Sequence, residues 1–469
     1  MTSDALRHLR QATDAAISDR TIVEAIRVMS AAPSPRGRER ATATRLAAWA
    51  RDRWPRLPWN LEAVGPEGTN LTSTAGGSGP ELLVYSHLDT SLSGEAGHDR
   101  WATGLDGPVA PLALDPVSGL LSGFGLGVAR APAAAALVGY AAAATALRRE
   151  GLPHRLCLLL ASAGTHSSPF TTARPAGPSP SAASAPAAGD TSGRTPGTAA
   201  ADVSGVSGVS AEPSGIDEYL RSHPLPAAAV VAKCGPPGVL YEEPGAIFLR
   251  VRLDGSYRPV LARGADGGLL TGLGVVVAIL ESWRAEHLAA RSAPGRQLAA
   301  EAGIGAVRGG LAEKPDLLPG LVELHLYLTT VPGDDPDEIA RTVLERLRAG
   351  IRGGPLERHR VSVDAHMAHP AGSTPPGAPV IRQAIAAWDD EHGAPPPPIS
   401  GWKGSTDGVV LRGHGIPTAR VGPAAAADPA DPRRDVFDPR ELARFARLYA
   451  GIALRHALGV PGARSGRST

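Results

Sequence analysis

Between residues 81 and 161 the chain reads as strand, helix, strand: an apolar run at 81–85, an Ala-rich stretch at 132–149, and a second apolar run at 155–161. Short apolar runs bounded by polar turns are buried strands, and a long helical stretch between two of them makes a crossover that leaves the strands parallel. Further strand candidates fall at 60–64, 71–74 and 229–232. Helices open the chain, with apolar positions Ile22, Val23, Ile26 and Val28 ahead of Pro33 and Pro35, then a second run from Ala41 to Trp54. The fold class that follows is α/β, with a mainly parallel sheet covered by helices.

From about residue 168 to 215 large apolar residues almost vanish among Ser, Pro, Ala, Gly and Thr, a composition that cannot offset its ordering entropy and reads as a disordered insertion. Beyond it, a strand at 246–253, helix at 269–287, strand at 322–328, helix at 336–348 and strand at 360–365 form a separate α+β unit inserted into the first. The Pro- and Gly-rich stretch around 291–320 reads as a second loose loop. The expected organisation is therefore a first domain built from 1–167, 216–243 and 367–460, the inserted unit at 244–366, and a disordered tail at 461–469.

Composition excludes more than it selects. With 469 residues, 43% hydrophobic content and a net charge of +1, the chain has ample core and no basic excess to pair with phosphates. No run of 18 apolar residues is present, so neither nucleic acid nor membrane is an expected partner, and the expected compartment is the cytoplasm. The two cysteines, Cys157 and Cys234, are too few for a disulfide framework. Lysine occurs only at 233, 314 and 403, against abundant arginine, which makes each lysine more informative than usual.

The strand at 81–85 runs straight into Ser86, His87, Leu88, Asp89 and Thr90. Downstream come Leu121-Ser-Gly-Phe-Gly125, then Ser405-Thr-Asp-Gly408, Gly415-Ile-Pro-Thr418 and Gly422-Pro423. Their order and spacing resemble the acetylornithine deacetylase, succinyl-diaminopimelate desuccinylase and carboxypeptidase G family of co-catalytic zinc metallopeptidases. That resemblance implies a zinc-exopeptidase-like catalytic domain and an inserted, ferredoxin-like lid that dimerises. It also implies two zinc ions held by histidines and carboxylates, with a glutamate as general base.

On that pattern His87 matches a metal ligand and Asp89 the carboxylate that orients it. Most other positions are replaced. Val128 stands where the bridging aspartate is implied, and Thr165 and His166 where the base and a ligand glutamate are. Lys233 falls on a ligand acid and Ala430 on the last histidine ligand, with Asp428 or Asp431 near enough to supply a carboxylate. In the lid, Pro259 stands for a substrate-facing histidine, and Thr329 or Thr330 for the arginine that grips a substrate carboxylate. His369 and His414, isolated in loops, read as solvated.

The expectation is a dismantled dizinc site with no resident cofactor, in which the Lys233 ammonium takes the place of a metal beside His87 and Asp89. Trp402, Lys403 and Arg130 are expected to line or flank the cleft. The protein would then act as a small-molecule-binding, regulatory or subunit-partner protein. It would pair with itself or with an intact relative through the lid, and a small amide or amino acid would be its ligand. Two alternatives keep chemistry: a mononuclear zinc on His87, His166 and Cys234, or a metal-free pairing of Thr165 or Ser167 with His166 and His87. Either would make it a hydrolase or acyl transferase acting on N-acyl amino acids or small peptides.

Overall fold

The strands Leu82–His87 and Ala228–Ala232 are buried along their whole length, as apolar runs with no polar alternation require. In the computed structural model, which describes residues 2–170, 214–264, 267–292 and 294–460, they lie in a six-stranded sheet. Its order is Asn60–Val64, Gly68–Gly76, Arg155–Ala161, Leu82–His87, Ala228–Ala232, Thr418–Val421. The last four run parallel, Gly68–Gly76 joins them antiparallel, and Asn60–Val64 pairs antiparallel with Gly68–Gly76 at the edge. The insertion read at 168–215 lies almost entirely outside the described residues, as does the 461–469 tail.

Helix Ala131–Arg149 covers one face of the sheet and packs along Pro439–Ala457. Its alanines let the two helices approach so closely that a Cβ on Gly139 would lie 2.3 Å from the carbonyl oxygen of Ala446. The segment Leu126–Arg149 is long and apolar enough to cross a membrane, but 94% of its apolar 18-residue window is buried inside the protein.

The inserted unit is a four-stranded antiparallel sheet in the order Glu301–Gly309, Leu321–Thr330, Gly245–Asp254, Arg360–His369, with helices Leu273–Ala290 and Pro336–Gly350 connecting its strands. Its core is separate, built on Ile247, Leu249, Val251, Leu324, Leu326 and Val343 among others. Glu301–Gly309 corrects the reading of 291–320 as a loose loop. It is an edge strand, mostly exposed and interrupted by Gly303 and Gly305, so it carries almost none of the apolar signal by which strands are recognised.

Candidate functional site

Parallel strands end on the same side of a sheet, and here Leu82–His87, Arg155–Ala161 and Ala228–Ala232 deliver three chain turns to one place. The first ends in His87 and continues to Asp89, the second leads through Ala163 and Gly164 to Thr165 and His166, and the third leads to Lys233 and Cys234. Ala163 turns the middle segment sharply. It is the one non-glycine among the described residues with positive φ, at 52°, and it is held there by its backbone N–H, which donates to the buried Glu39 carboxylate at 3.0 Å.

Asp89 is fully buried and collects donors. Gly164 N donates at 2.7 Å and Thr165 N at 2.9 Å, the Thr165 hydroxyl donates a further bond, and His87 Nδ1 lies 2.9 Å away. Burial opposes its charge, but His87, Thr165 and Lys233 outweigh that and hold the carboxyl well below its usual range. The Nδ1–H directed at Asp89 leaves a lone pair on His87 Nε2, and Lys233 Nζ sits 2.6 Å from it. Burial and the adjacent Lys233 lower the His87 pKa, and burial lowers that of Lys233 too, against the pull of Asp407 and Asp89.

A second group adjoins the first. Tyr85, two residues before His87 on the same strand, donates its hydroxyl to Asp407 Oδ2. A Cβ on Gly164 would fall 2.5 Å from His87 Cβ and 3.0 Å from that same oxygen, so glycine is what lets His87 and Asp407 flank this turn. Burial, only partly offset by Tyr85 and Lys233, pushes the Asp407 carboxyl up to about 7. The ring of His166 stands 4.9 Å from that of His369, and the donor atoms of His166, His369 and Asp407 all lie within 4.8 Å of one another. Gly164→Ala is expected to cost about 1–3 kcal/mol, because the clash is with the base of a ring and not with a flexible tip. Urea unfolding checks it, and an unchanged midpoint would show that the turn yields freely.

Of the residues singled out in the sequence, His87, Asp89, Thr165 and Lys233 meet in one hydrogen-bonded set. Cys234 does not join His87 and His166 as a ligand trio: among the described residues the converging donors are those of His166, His369 and Asp407. Burial pushes the Cys234 thiol up to about 12, and its carbonyl accepts from Arg420. His414 is exposed as read, whereas His369 is half-buried against His166, a correction to its reading as solvated.

Val128 is half-buried in the irregular turn Leu126–Arg130, and Asp435 caps that turn by accepting from Gly127 N at 2.7 Å. Arg130 is buried, donating to Phe124 O at 2.6 Å with its guanidinium 5.7 Å from the Phe124 ring, and burial lowers its pKa to about 10. Asp428 and Asp431 are paired with Arg434 and Arg433, at 3.1 and 2.7 Å. Trp402 stacks on Arg420 at 4.7 Å, and Lys403 pairs with Glu301 at 2.5 Å.

No family model and no curated protein matches the sequence. Solved structures do match the fold. The dipeptidase Dug1p of Saccharomyces cerevisiae aligns with a TM-score of 0.63 at 12% identity, over 96% of this chain and 98% of its own. A Staphylococcus aureus tripeptidase gives 0.59 at 13%, over 94% and 99%. A Bacillus subtilis protein described as a dinuclear metal binding peptidase from the M20 family gives 0.52 at 12%, over 93% and 97%. The chain has the fold of these peptidases. The mainly parallel sheet and the inserted four-stranded unit match the two-part architecture of that fold, and the candidate site lies at the carboxyl end of the parallel strands. A dinuclear metal pair does not fit the His87 cluster as it stands, because both ring nitrogens of His87 are engaged, one by a buried carboxylate and the other by the Lys233 ammonium.

Proposed function

We propose that this chain is a peptidase-fold protein that binds a small amide or amino-acid-like molecule and does not hydrolyse it by a dinuclear zinc mechanism. The contact of Lys233 Nζ with His87 Nε2 at 2.6 Å carries the reading. An ammonium there supplies positive charge beside Asp89 without Lewis acidity, and it occupies the lone pair that a metal would need. The replacements at Val128 and Thr165 point the same way: valine cannot ligate, and Thr165 spends its hydroxyl on Asp89. Self-association, or pairing with an intact relative, through the lid is the residual capability proposed for the inserted unit.

One observation favours a second reading. Asp407, pushed up to about 7 and hydrogen-bonded to Tyr85, has the protonation behaviour of a general acid or base, which would suit a hydrolase or acyl transferase with no dinuclear centre.

A panel of dipeptides and N-acyl amino acids, assayed with zinc and again with chelator, separates the two. The expected result is no turnover in either condition, with thermal-shift binding of a subset of the panel. In parallel, Lys233→Met should raise the His87 pKa, read by histidine-selective NMR, since removing the ammonium removes a cause of its depression. Zinc-dependent cleavage by the wild-type chain would sink the proposal. Chelator-resistant cleavage abolished by Asp407→Asn would install the second reading.

A further inference from the structure

The group formed by His166, His369 and Asp407 is not explained by the Lys233 cluster. Its three members come from three distant parts of the chain: the turn after Arg155–Ala161, the end of the lid strand Arg360–His369, and the turn before the short helix Gly408–Gly413. The lid strand shifts register between Met367 and His369, a bulge that re-aims the His369 side chain. Such a bulge at the last residue of a strand, beside the point where Gly245 passes close to the His369 carbonyl, is a local device for placing one ring.

The Nε2 of His166 is buried and makes no hydrogen bond. A buried imidazole nitrogen without a partner is costly, and here it belongs to the same trio as a second imidazole and a carboxylate. Burial favours the neutral form of both rings, pushing the His166 pKa down to about 3 and lowering that of His369 also. Asp407 is the complementary case, a carboxyl whose charge the interior opposes and a cation would stabilise. Two neutral imidazoles and one carboxylate are a donor set suited to a divalent transition metal, and they leave a fourth position for water or a bound ligand. Their separation of at most 4.8 Å needs to close only modestly to reach the roughly 3.4 Å between ligand atoms of a tetrahedral site.

We propose that His166, His369 and Asp407 bind a single divalent transition metal ion such as zinc, pinning the end of the last lid strand to the sheet that carries His87. The site adjoins the Lys233 cluster but uses neither nitrogen of His87, which Asp89 and Lys233 engage.

The full chain, stripped with chelator and dialysed, is titrated with Zn2+ by calorimetry and with Co2+ by absorption. The expected result is about one equivalent bound, with Co2+ d–d bands of tetrahedral intensity and X-ray absorption counting two imidazoles on the native chain. His369→Gln and His166→Gln should each weaken binding by more than about tenfold, while His414→Gln, an exposed histidine elsewhere, should not. Their metal-free melting curves check folding. If a variant fails to fold, the imidazole count on the native chain still decides. No binding by the native chain, a metal centre without two imidazoles, or binding that survives His369→Gln overturns the proposal. Amide hydrolysis, the readout that decides the preceding reading, is not needed here, so the two stand or fall separately.

Discussion

Glu243→Gln should destabilise the protein by about 3–5 kcal/mol, the cost of removing one partner from a buried ion pair. Glu243 is fully buried between two arginines that are themselves buried. It accepts from Arg412 Nη1, from Arg420 Nη1 at 3.4 Å and from the Thr406 hydroxyl. Glutamine keeps the shape and one acceptor but leaves two guanidiniums with no counter-charge, and burial already lowers the pKa of Arg420. The loss reaches the site. Arg412 lies in the helix that follows Asp407 and also donates to Thr418 O at 3.0 Å, while Arg420 donates to the carbonyl of Cys234, next to Lys233. Urea unfolding at neutral pH measures the effect, and a shift within about 0.5 kcal/mol would mean that water reaches the arginines. Replacing all three ionic residues together, Glu243→Leu with Arg412→Met and Arg420→Met, should recover much of the loss, because desolvated ions are then no longer stranded.

None of that triad was legible in the sequence, and the reason is physical. Glu243 lies 169 residues from Arg412 and 177 from Arg420, and nothing in a single charged residue shows that it will be buried. The fold was easier to read, because continuous apolar runs and an Ala-rich helix carry their burial in composition, and that was enough for the parallel sheet and most of the lid. It failed at Glu301–Gly309, where an exposed, glycine-broken edge strand has no such signature. At the site, Lys233 was placed beside His87 and Asp89 through the family resemblance, and the adjacent parallel strands that end at these residues are what bring them together. Asp407 was visible only as part of a Ser-Thr-Asp-Gly turn, and its bond to Tyr85 spans 322 residues. His369 was misread because a single bulge decides whether its ring faces solvent or His166, and bulges leave little trace in one sequence.

Asp89→Ala should cost a comparable amount, about 3–5 kcal/mol, for a different reason. The carboxylate satisfies two backbone N–H groups, the Thr165 hydroxyl and His87 Nδ1, and together with Asp407 it balances Lys233. Alanine orphans all of these donors at once. The pH dependence identifies the cause. The folded-state pKa of Asp89 lies below its ordinary 3.8, so its contribution is complete above that value and is lost as pH falls further toward the depressed folded value. Asp407 has the opposite sign: raised to about 7, it favours the folded state when protonated, and that advantage disappears as pH rises from about 4 to 7. Asp89 is one of the charges that raise Asp407, so the comparison is cleanest in an Asp407→Asn background. There, the stability gap between the chain that keeps Asp89 and the one that also carries Asp89→Ala, measured by urea unfolding, should be constant above about pH 5 and narrow progressively below about pH 4. A gap that stays constant down to the acid limit would show that the donors around Asp89, and not its charge, account for the loss.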